Sequence, residues 1–158
     1  MKCARWSPVV VAVASMVFLL AGCDAKRESA ESIIPKLYWG RHTGTQPSYE
    51  MRDENSNVIV FNGKTMPVPA IKNNVEIDGA GITWQQEAQE GGGGRTVSYD
   101  RGVPTTIEST KEFLLVECGF TTEGGRSNPK RRFRFDHATG AIIMLGDRGS
   151  ADCVLQKY

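Results

Sequence analysis

The sequence lacks an apolar run long enough to cross a membrane as a helix. Its nearest candidate, Val9 to Leu20, has 12 residues without a charge, whereas a spanning helix needs about 20 apolar residues to cover about 30 Å of hydrocarbon. Lys2 and Arg5 precede this run and small residues follow it, which is typical of a secretory signal. The N-terminus therefore predicts export.

The sequence also lacks a strong excess of one charge. It has 19 basic and 18 acidic residues, and loss of Lys2 and Arg5 with a signal peptide would leave 17 basic residues against 18 acidic ones. Nucleic-acid binding proteins neutralise phosphates with clustered basic residues and are usually strongly basic. The near-neutral balance therefore argues against a nucleic-acid partner.

Residues for catalysis and metal binding are scarce. His42 and His137 are the only histidines, and no Gly-x-Ser-x-Gly context supplies a nucleophile beside them. The Gly-Gly-Gly-Gly-Arg stretch at 91–95 lacks the Gly-Lys-Ser/Thr ending of a phosphate loop and is interpreted as a flexible loop. The cysteines and histidines have no metal-ligand spacing. The sequence thus predicts a protein that is not an enzyme and has no cofactor or metal.

An envelope hydrolase is the enzymatic alternative. It would need acidic side chains that only folding brings together, and the conceivable members are Glu108, Glu112 and Glu117. Nothing in their spacing favours this alternative.

The apolar run ends in Leu20-Ala21-Gly22-Cys23, after which the chain is polar over 24–32. This segment resembles the signal of bacterial lipoproteins, whose lipobox reads Leu-Ala-Gly-Cys. The resemblance covers the first 23 residues and implies that Cys23 carries a diacylglycerol on its thiol. It also implies cleavage before Cys23 and acylation of the new amine. Two or three acyl chains hold a protein stably at a membrane, whereas one does so only marginally. A plain signal peptide with an incidental cysteine is the alternative.

The resemblance divides the chain into a signal peptide at 1–22, a tether at 23–32 that starts with the lipidated cysteine, and one domain at 33–158. The domain would be anchored in the cell envelope and face the periplasm. Asp24 follows the lipid cysteine, and in enteric lipoproteins an aspartate there resembles the signal for retention. This favours the inner membrane over the outer membrane.

Two further cysteines, Cys118 and Cys153, lie in the domain. An even pair in an oxidising compartment indicates a disulfide. Closing a loop of about 36 residues would contribute roughly 4 kcal/mol if the bond is unstrained. The alternative is two free buried thiols.

The fold class is predicted to be mainly β, a small antiparallel sandwich or barrel of eight to ten short strands. Hairpins are expected around Asn62-Gly63, at 78–81 and at 136–140, and a turn is expected at 100–102. Residues 41–57 are predicted to be loop. Residues 26–34 have two interpretations, one short N-terminal helix limited by Pro35 or, as favoured, a segment that docks on the domain from Ile33.

Alternation along the strands predicts which side chains face inward. Phe133 and Phe135 should share one face and Arg132 and Arg134 the other. The apolar strand after Lys111 should bury one face, which also contains Cys118. The residues of that face are Leu114, Val116, Cys118 and Phe120.

Five positive charges within nine residues form the main candidate binding cluster. They would suit an anionic partner, since arginine binds carboxylates and phosphates through paired hydrogen bonds. The alternative is a solvated strand face neutralised by Asp136 and Asp147. Trp39 is a further candidate binding residue, whereas Trp84 is assigned to the core. The cluster comprises Arg126, Lys130, Arg131, Arg132 and Arg134.

These features predict a membrane-anchored, non-enzymatic binding lipoprotein of the inhibitor, immunity or exclusion type. Its partner would be an envelope protein or an anionic envelope component. Binding should concentrate in the arginine face and in the loops at 41–56, 89–95 and 122–130. The alternative is an accessory structural or assembly subunit of an envelope complex.

Overall fold

The computed structural model describes residues 33–88, 94–122, 125 and 128–158. They form an antiparallel β domain whose main sheet curls into a half-barrel, so the predicted mainly β class is confirmed. The strands are β1 (Gly40–Gln46), β2 (Tyr49–Glu50), β3 (Val60–Phe61), β4 (Lys64–Thr65), β5 (Pro67–Val68), β6 (Ile71–Asp78), β7 (Gly81–Ala88), β8 (Thr96–Gly102), β9 (Pro104–Ser109), β10 (Phe113–Gly119), β11 (Lys130–Asp136), β12 (Ile142–Met144) and β13 (Cys153–Lys157). A 3-10 turn precedes them at Lys36–Tyr38.

The main sheet contains nine strands in the order β8-β7-β6-β1-β13-β12-β11-β10-β9. The two edge strands, β8 and β9, follow each other in the chain and are separated only by Val103. The Tyr99–Thr122 bridge and a 2.8 Å hydrogen bond from the Asp100 amide to the Thr121 carbonyl connect β8 to the chain after β10. The curled sheet is therefore partly closed along this line.

The turn predicted at 100–102 is wrong. These residues continue β8, and only Val103 separates β8 from β9. Gly102 permits this path because a Cβ atom there would lie 2.5 Å from both the Cys118 Sγ and the Gly119 carbonyl oxygen. The close approach of β8 to β10 therefore leaves no space for a side chain at Gly102.

The core lies on the inner face of the half-barrel. Phe133 and Phe135 are fully buried, which confirms the face predicted for β11. Trp84 is also buried and stacks on Tyr99 with ring centroids 4.1 Å apart, so its assignment to the core is confirmed. The inward face predicted for β10 is confirmed as well, with Leu114, Val116, Cys118 and Phe120 all buried.

The predicted hairpins form as expected. Asn62 and Gly63 have φ values of 51° and 73° between β3 and β4, and two consecutive left-handed residues are typical of a type I′ turn. β6 and β7 pair through an Asp78–Gly81 turn. Gly140, with a φ of 72°, closes the loop between β11 and β12.

The prediction of loop over 41–57 is wrong for its first part, because β1 is a central strand that pairs with β6 and β13. The inward positions of β1 hold polar side chains or glycine. Its sequence therefore lacks the alternation of apolar and polar residues that indicates a strand. His42 Nε2 donates a 2.9 Å hydrogen bond to the Tyr38 carbonyl, and Gln46 donates one of 2.9 Å to the Ala151 carbonyl. These bonds satisfy polar groups that would otherwise be costly to bury.

The segment before β1 docks on the domain, as favoured from the sequence. Ile34 is fully buried, Ile33 packs against the core, and Trp39 Nε1 donates a 3.1 Å hydrogen bond to the Ile34 carbonyl. The 3-10 turn follows Pro35. The remainder of the helix interpretation, at 26–32, lies outside the described residues.

The predicted disulfide is wrong, because Cys118 and Cys153 are both free and buried. They lie on β10 and β13, and β11 and β12 are between them. Three strand spacings amount to about 14 Å along the sheet, whereas disulfide-bonded Cα atoms lie within about 7 Å. Burial raises the pKa of Cys118 to about 12, so its thiol stays protonated and unreactive near neutral pH.

Candidate functional site

The half-barrel has two distinct ends. β1 ends, β11 begins and β12 ends at one of them, which we call the distal end. The segment at 33–39 packs at the opposite end, where the Tyr38 hydroxyl donates a 2.9 Å hydrogen bond to the Asp136 carbonyl at the end of β11. The chain therefore enters the domain opposite the distal end.

Arg131 is the most buried of the basic-cluster residues that the structure describes. It shares the inward face of β11 with the phenylalanines, and its side chain is only 22% exposed. Nη1 donates a 2.7 Å hydrogen bond to Asp147 Oδ2, and the guanidinium carbon lies 4.9 Å from the centre of the Trp84 ring. An ion pair and a cation–π contact together hold this arginine at the mouth of the half-barrel.

A tight turn at 147–150 positions Asp147. Arg148 and Gly149 both have left-handed backbones, with φ values of 47° and 92°. The Asp147 amide donates to Ser150 Oγ at 2.9 Å, and the Ser150 amide donates to the Asp147 carbonyl at 2.9 Å. A left-handed conformation is unfavourable for an arginine and persists only where its surroundings hold it. The turn consequently holds the backbone at Arg148, whose side chain is exposed to solvent.

The Arg131–Asp147 pair lies between two shallow depressions. One, of about 200 Å³, is lined by Glu117, Lys130, Arg131, Arg132, Leu145, Gly146 and Asp147. The other, of about 350 Å³, is lined by Tyr49, Met51, Asn128, Pro129, Arg131, Asp147 and Arg148. Both therefore have the same ion pair as one wall.

The charges around these depressions are only partly compensated. Lys130 Nζ lies 2.8 Å from Glu117 Oε1, and Arg131 is paired with Asp147. Arg132 and Arg148 form no ion pair within the part of the chain that the structure describes. Among the side chains that line the depressions, Arg132 and Arg148 thus supply two positive charges beyond the paired residues.

The structure divides the predicted cluster between different environments. Lys130 and Arg132 lie at the distal depressions with Arg131, whereas Arg134 lies further along β11. Its guanidinium carbon is 4.4 Å from the centre of the Phe113 ring, and Nη2 is 3.9 Å from Asp136 Oδ2. Arg126 lies outside the described residues. Position along β11 therefore separates Arg134 from Arg132, although the two share the outer face of the strand.

An apolar hairpin adjoins the larger depression. Val60, Phe61 and Met66 are 58%, 68% and 42% exposed. The Met51 amide donates a 3.1 Å hydrogen bond to the Met66 carbonyl, and the Ile59 amide donates one of 2.9 Å to the Met51 carbonyl. Since Met51 also lines the depression, hairpin and depression form one continuous surface. We call this surface, with both depressions, the distal surface.

The other candidates lie elsewhere. Trp39 is half-buried at the end where the chain enters, and Lys36 Nζ lies 5.4 Å from the centre of its ring. Burial lowers the pKa of His42, which has a structural role in β1. Glu108, Glu112 and Glu117 are spread over β9, the turn before β10 and β10 itself. Among the described residues no group of acids, cysteines and histidines is arranged to hold a metal ion.

The sequence named Asp136 and Asp147 as acids that would neutralise the cluster, and they lie beside Arg134 and Arg131 respectively. Sequence reasoning missed two other parts of the surface, Arg148 and the apolar hairpin. The Asp147-Arg148-Gly149-Ser150 run is typical of a turn, and a turn there would expose Arg148 to solvent. The contact between this turn and β11 joins residues 16 positions apart, and local patterns do not predict it.

No protein-family model, no curated protein and no solved structure matches the chain. Over the ranges described above, no helix is both long and apolar enough to cross a membrane. The fold and the site together define a β half-barrel domain with a basic and apolar surface at one end.

Proposed function

We propose that the protein is a lipid-anchored lipoprotein of the bacterial envelope that faces the periplasm and binds another envelope component without catalysis. Its type would be that of an inhibitor, an immunity protein or an exclusion factor. One observation carries the proposal. Arg132 and Arg148, without ion-pair partners among the described residues, flank two depressions that continue into an exposed apolar hairpin.

The position of this surface agrees with a lipid anchor on Cys23. A tether over 23–32 reaches at most about 35 Å when fully extended. It would join the domain at Ile33, opposite the distal end. In the simplest arrangement the distal surface therefore points away from the membrane and toward partners in the periplasm.

The chemistry of the surface favours a protein partner with acidic residues around an apolar site. Arginine forms paired hydrogen bonds with carboxylates, and interface energy concentrates in buried aromatic and arginine side chains. Phe61 supplies an exposed aromatic ring on the hairpin of the distal surface. Cations at the rim would speed association with an acidic partner and select against basic ones.

Charge reversal at the distal surface tests this proposal. The Arg132→Glu, Arg148→Glu protein is expected to recover at least about tenfold less of the dominant crosslinked partner than the native protein does. The reason is that both unpaired guanidinium groups become carboxylates. The measurement is a crosslinked pull-down of the tagged lipoprotein from its native envelope, quantified by mass spectrometry. Arg134 is left unchanged since it packs on Phe113.

A matched control reverses the same amount of charge elsewhere. Lys111 and Lys157 are exposed and lie away from the distal surface, so Lys111→Glu, Lys157→Glu should recover the partner at the native level. Equal loss in both variants would show a general effect of charge, and equal recovery by both would remove the distal surface from the binding site.

An accessory subunit of an envelope complex is the second candidate. β9 is an edge strand, and Val103 and Ile107 on this edge are 49% and 50% exposed. Exposed edges accept strands from other chains. A multi-subunit membrane complex recovered equally by both charge-reversed proteins would favour this function.

A further inference from the structure

A row of uncharged polar side chains crosses the outer face of the half-barrel. Its chemistry differs from that of the cationic distal surface. Thr43 pairs with Asn74, Asn74 with Gln85, and Gln85 with Ser98 in the registers of four neighbouring strands. A second row contains Arg41, Glu76 and Thr83. All members of these rows except Thr43 line a groove of about 330 Å³, within the size range of small-ligand sites.

The first row is hydrogen-bonded at both ends and open in its middle. Thr43 Oγ1 donates a 2.9 Å hydrogen bond to Asn74 Oδ1, and Gln85 Nε2 donates one of 3.2 Å to Ser98 Oγ. Asn74 Nδ2 and Gln85 Oε1 have no hydrogen-bond partner among the described residues. The open position therefore offers one donor and one acceptor on side chains whose Cβ atoms are about 5 Å apart.

The charges of the groove are compensated. Arg41 Nε lies 3.6 Å from Glu76 Oε1, so the groove does not select an anion. Tyr158 borders the groove with a 69% exposed side chain, and its amide donates a 3.1 Å hydrogen bond to the Arg41 carbonyl. An exposed tyrosine ring supplies an apolar face beside a polar tip.

We propose that this groove binds a segment of an N-acetylated glycan. An acetamido group has one N–H donor and one carbonyl acceptor, which complement Gln85 Oε1 and Asn74 Nδ2. The apolar face of a sugar ring packs against Tyr158, and the ring hydroxyls bond to the remaining polar groups. An added polypeptide strand fits less well, because the backbone groups of β1, β6 and β7 are already used in the sheet.

Isothermal titration calorimetry of the full-length protein in detergent micelles tests the site. The probes are chitotetraose and cellotetraose, which differ in having an acetamido group or a hydroxyl at the same ring position. Chitotetraose is expected to bind at least about tenfold tighter. The Asn74→Ala, Gln85→Ala protein should lose this preference, because it lacks the complementary amide groups.

The tyrosine is tested by a pair of substitutions. Tyr158→Ala should weaken chitotetraose binding at least about tenfold, whereas Tyr158→Phe keeps the ring and should bind like the native protein. Asn55→Ala and Leu37→Ala, which change an exposed amide and an exposed apolar side chain outside the groove, should have no effect. Unchanged melting temperatures establish that each variant is folded.

The proposal is overturned if chitotetraose shows no binding at about 1 mM, or if the groove variants bind it as tightly as the native protein. It is also overturned if both tetrasaccharides bind equally. The groove is separate from the distal surface, so these outcomes leave the charge-reversal experiment unaffected.

Discussion

Replacing Gly102 by alanine is expected to destabilise the domain by at least about 2 kcal/mol, because the new methyl group has no space. A Cβ atom at Gly102 would lie 2.5 Å from the Cys118 Sγ and from the Gly119 carbonyl oxygen. Neither is the end of a flexible side chain, since Cys118 is fully buried and the carbonyl belongs to the backbone. β8 must therefore move away from β10, which opens the line along which the sheet closes.

Thermal unfolding monitored by circular dichroism measures this effect. A loss of about 2 kcal/mol should lower the melting temperature by roughly 5–10 °C in a domain of this size. Gly119→Ala is the matched control, because a Cβ atom there would have no neighbour within 4 Å. It should change stability by less than about 0.5 kcal/mol. Equal melting temperatures for the two variants would contradict the packing described for β8 and β10.

Cys23→Ala is expected to abolish lipid attachment. If Cys23 is the lipidated residue, the variant lacks the thiol that would carry the diacylglycerol. The protein should then leave the membrane fraction or accumulate as an uncleaved precursor. Fractionation with intact-mass measurement distinguishes these forms, and incorporation of labelled palmitate should fall to background.

Cys3→Ala is the matched control for this experiment. Cys3 lies in the segment that the lipobox resemblance assigns to the removed signal, so its replacement should leave processing, mass and fractionation unchanged. A Cys23→Ala protein that is processed and fractionates like the native protein would contradict the lipid anchor. The alternative of a plain signal peptide would then replace it.

Local features of the fold were predictable from the sequence. Asn62 and Gly63 tolerate left-handed backbones, so they predict a hairpin without knowledge of the remaining chain. Strict alternation around Phe133 and Phe135 predicts which face of β11 is buried. In both cases the residues that set the structure are neighbours in sequence.

Features that depend on strand order were not predictable in this way. β1 was interpreted as loop because its inward positions include His42 and Gln46, whose polar groups find partners in Tyr38 and Ala151. The disulfide was predicted from inward-facing cysteines, but inward direction does not show how many strands lie between them. Only the order β13-β12-β11-β10 separates the two thiols.

In the candidate site, too, the local features were predictable from the sequence and the long-range contacts were not. The basic cluster was visible in the sequence, and alternation separates Arg131 from Arg132. Asp147 was named as one of two acids that would neutralise the cluster, but the sequence did not predict that its partner is Arg131 or that Arg131 packs on Trp84. Nor did it indicate that Arg148 would join the same surface, because that depends on how the turn at 147–150 folds against β11.

Site-specific photo-crosslinking in intact cells tests the central claim most directly, namely that the distal surface is the binding surface of an anchored protein. A photoreactive residue would replace Arg148 in one protein and Lys111, near the end where the chain enters, in another. The account predicts one discrete adduct from position 148 and none from position 111. Adducts from position 111 alone, or the same adduct from both positions, would contradict it.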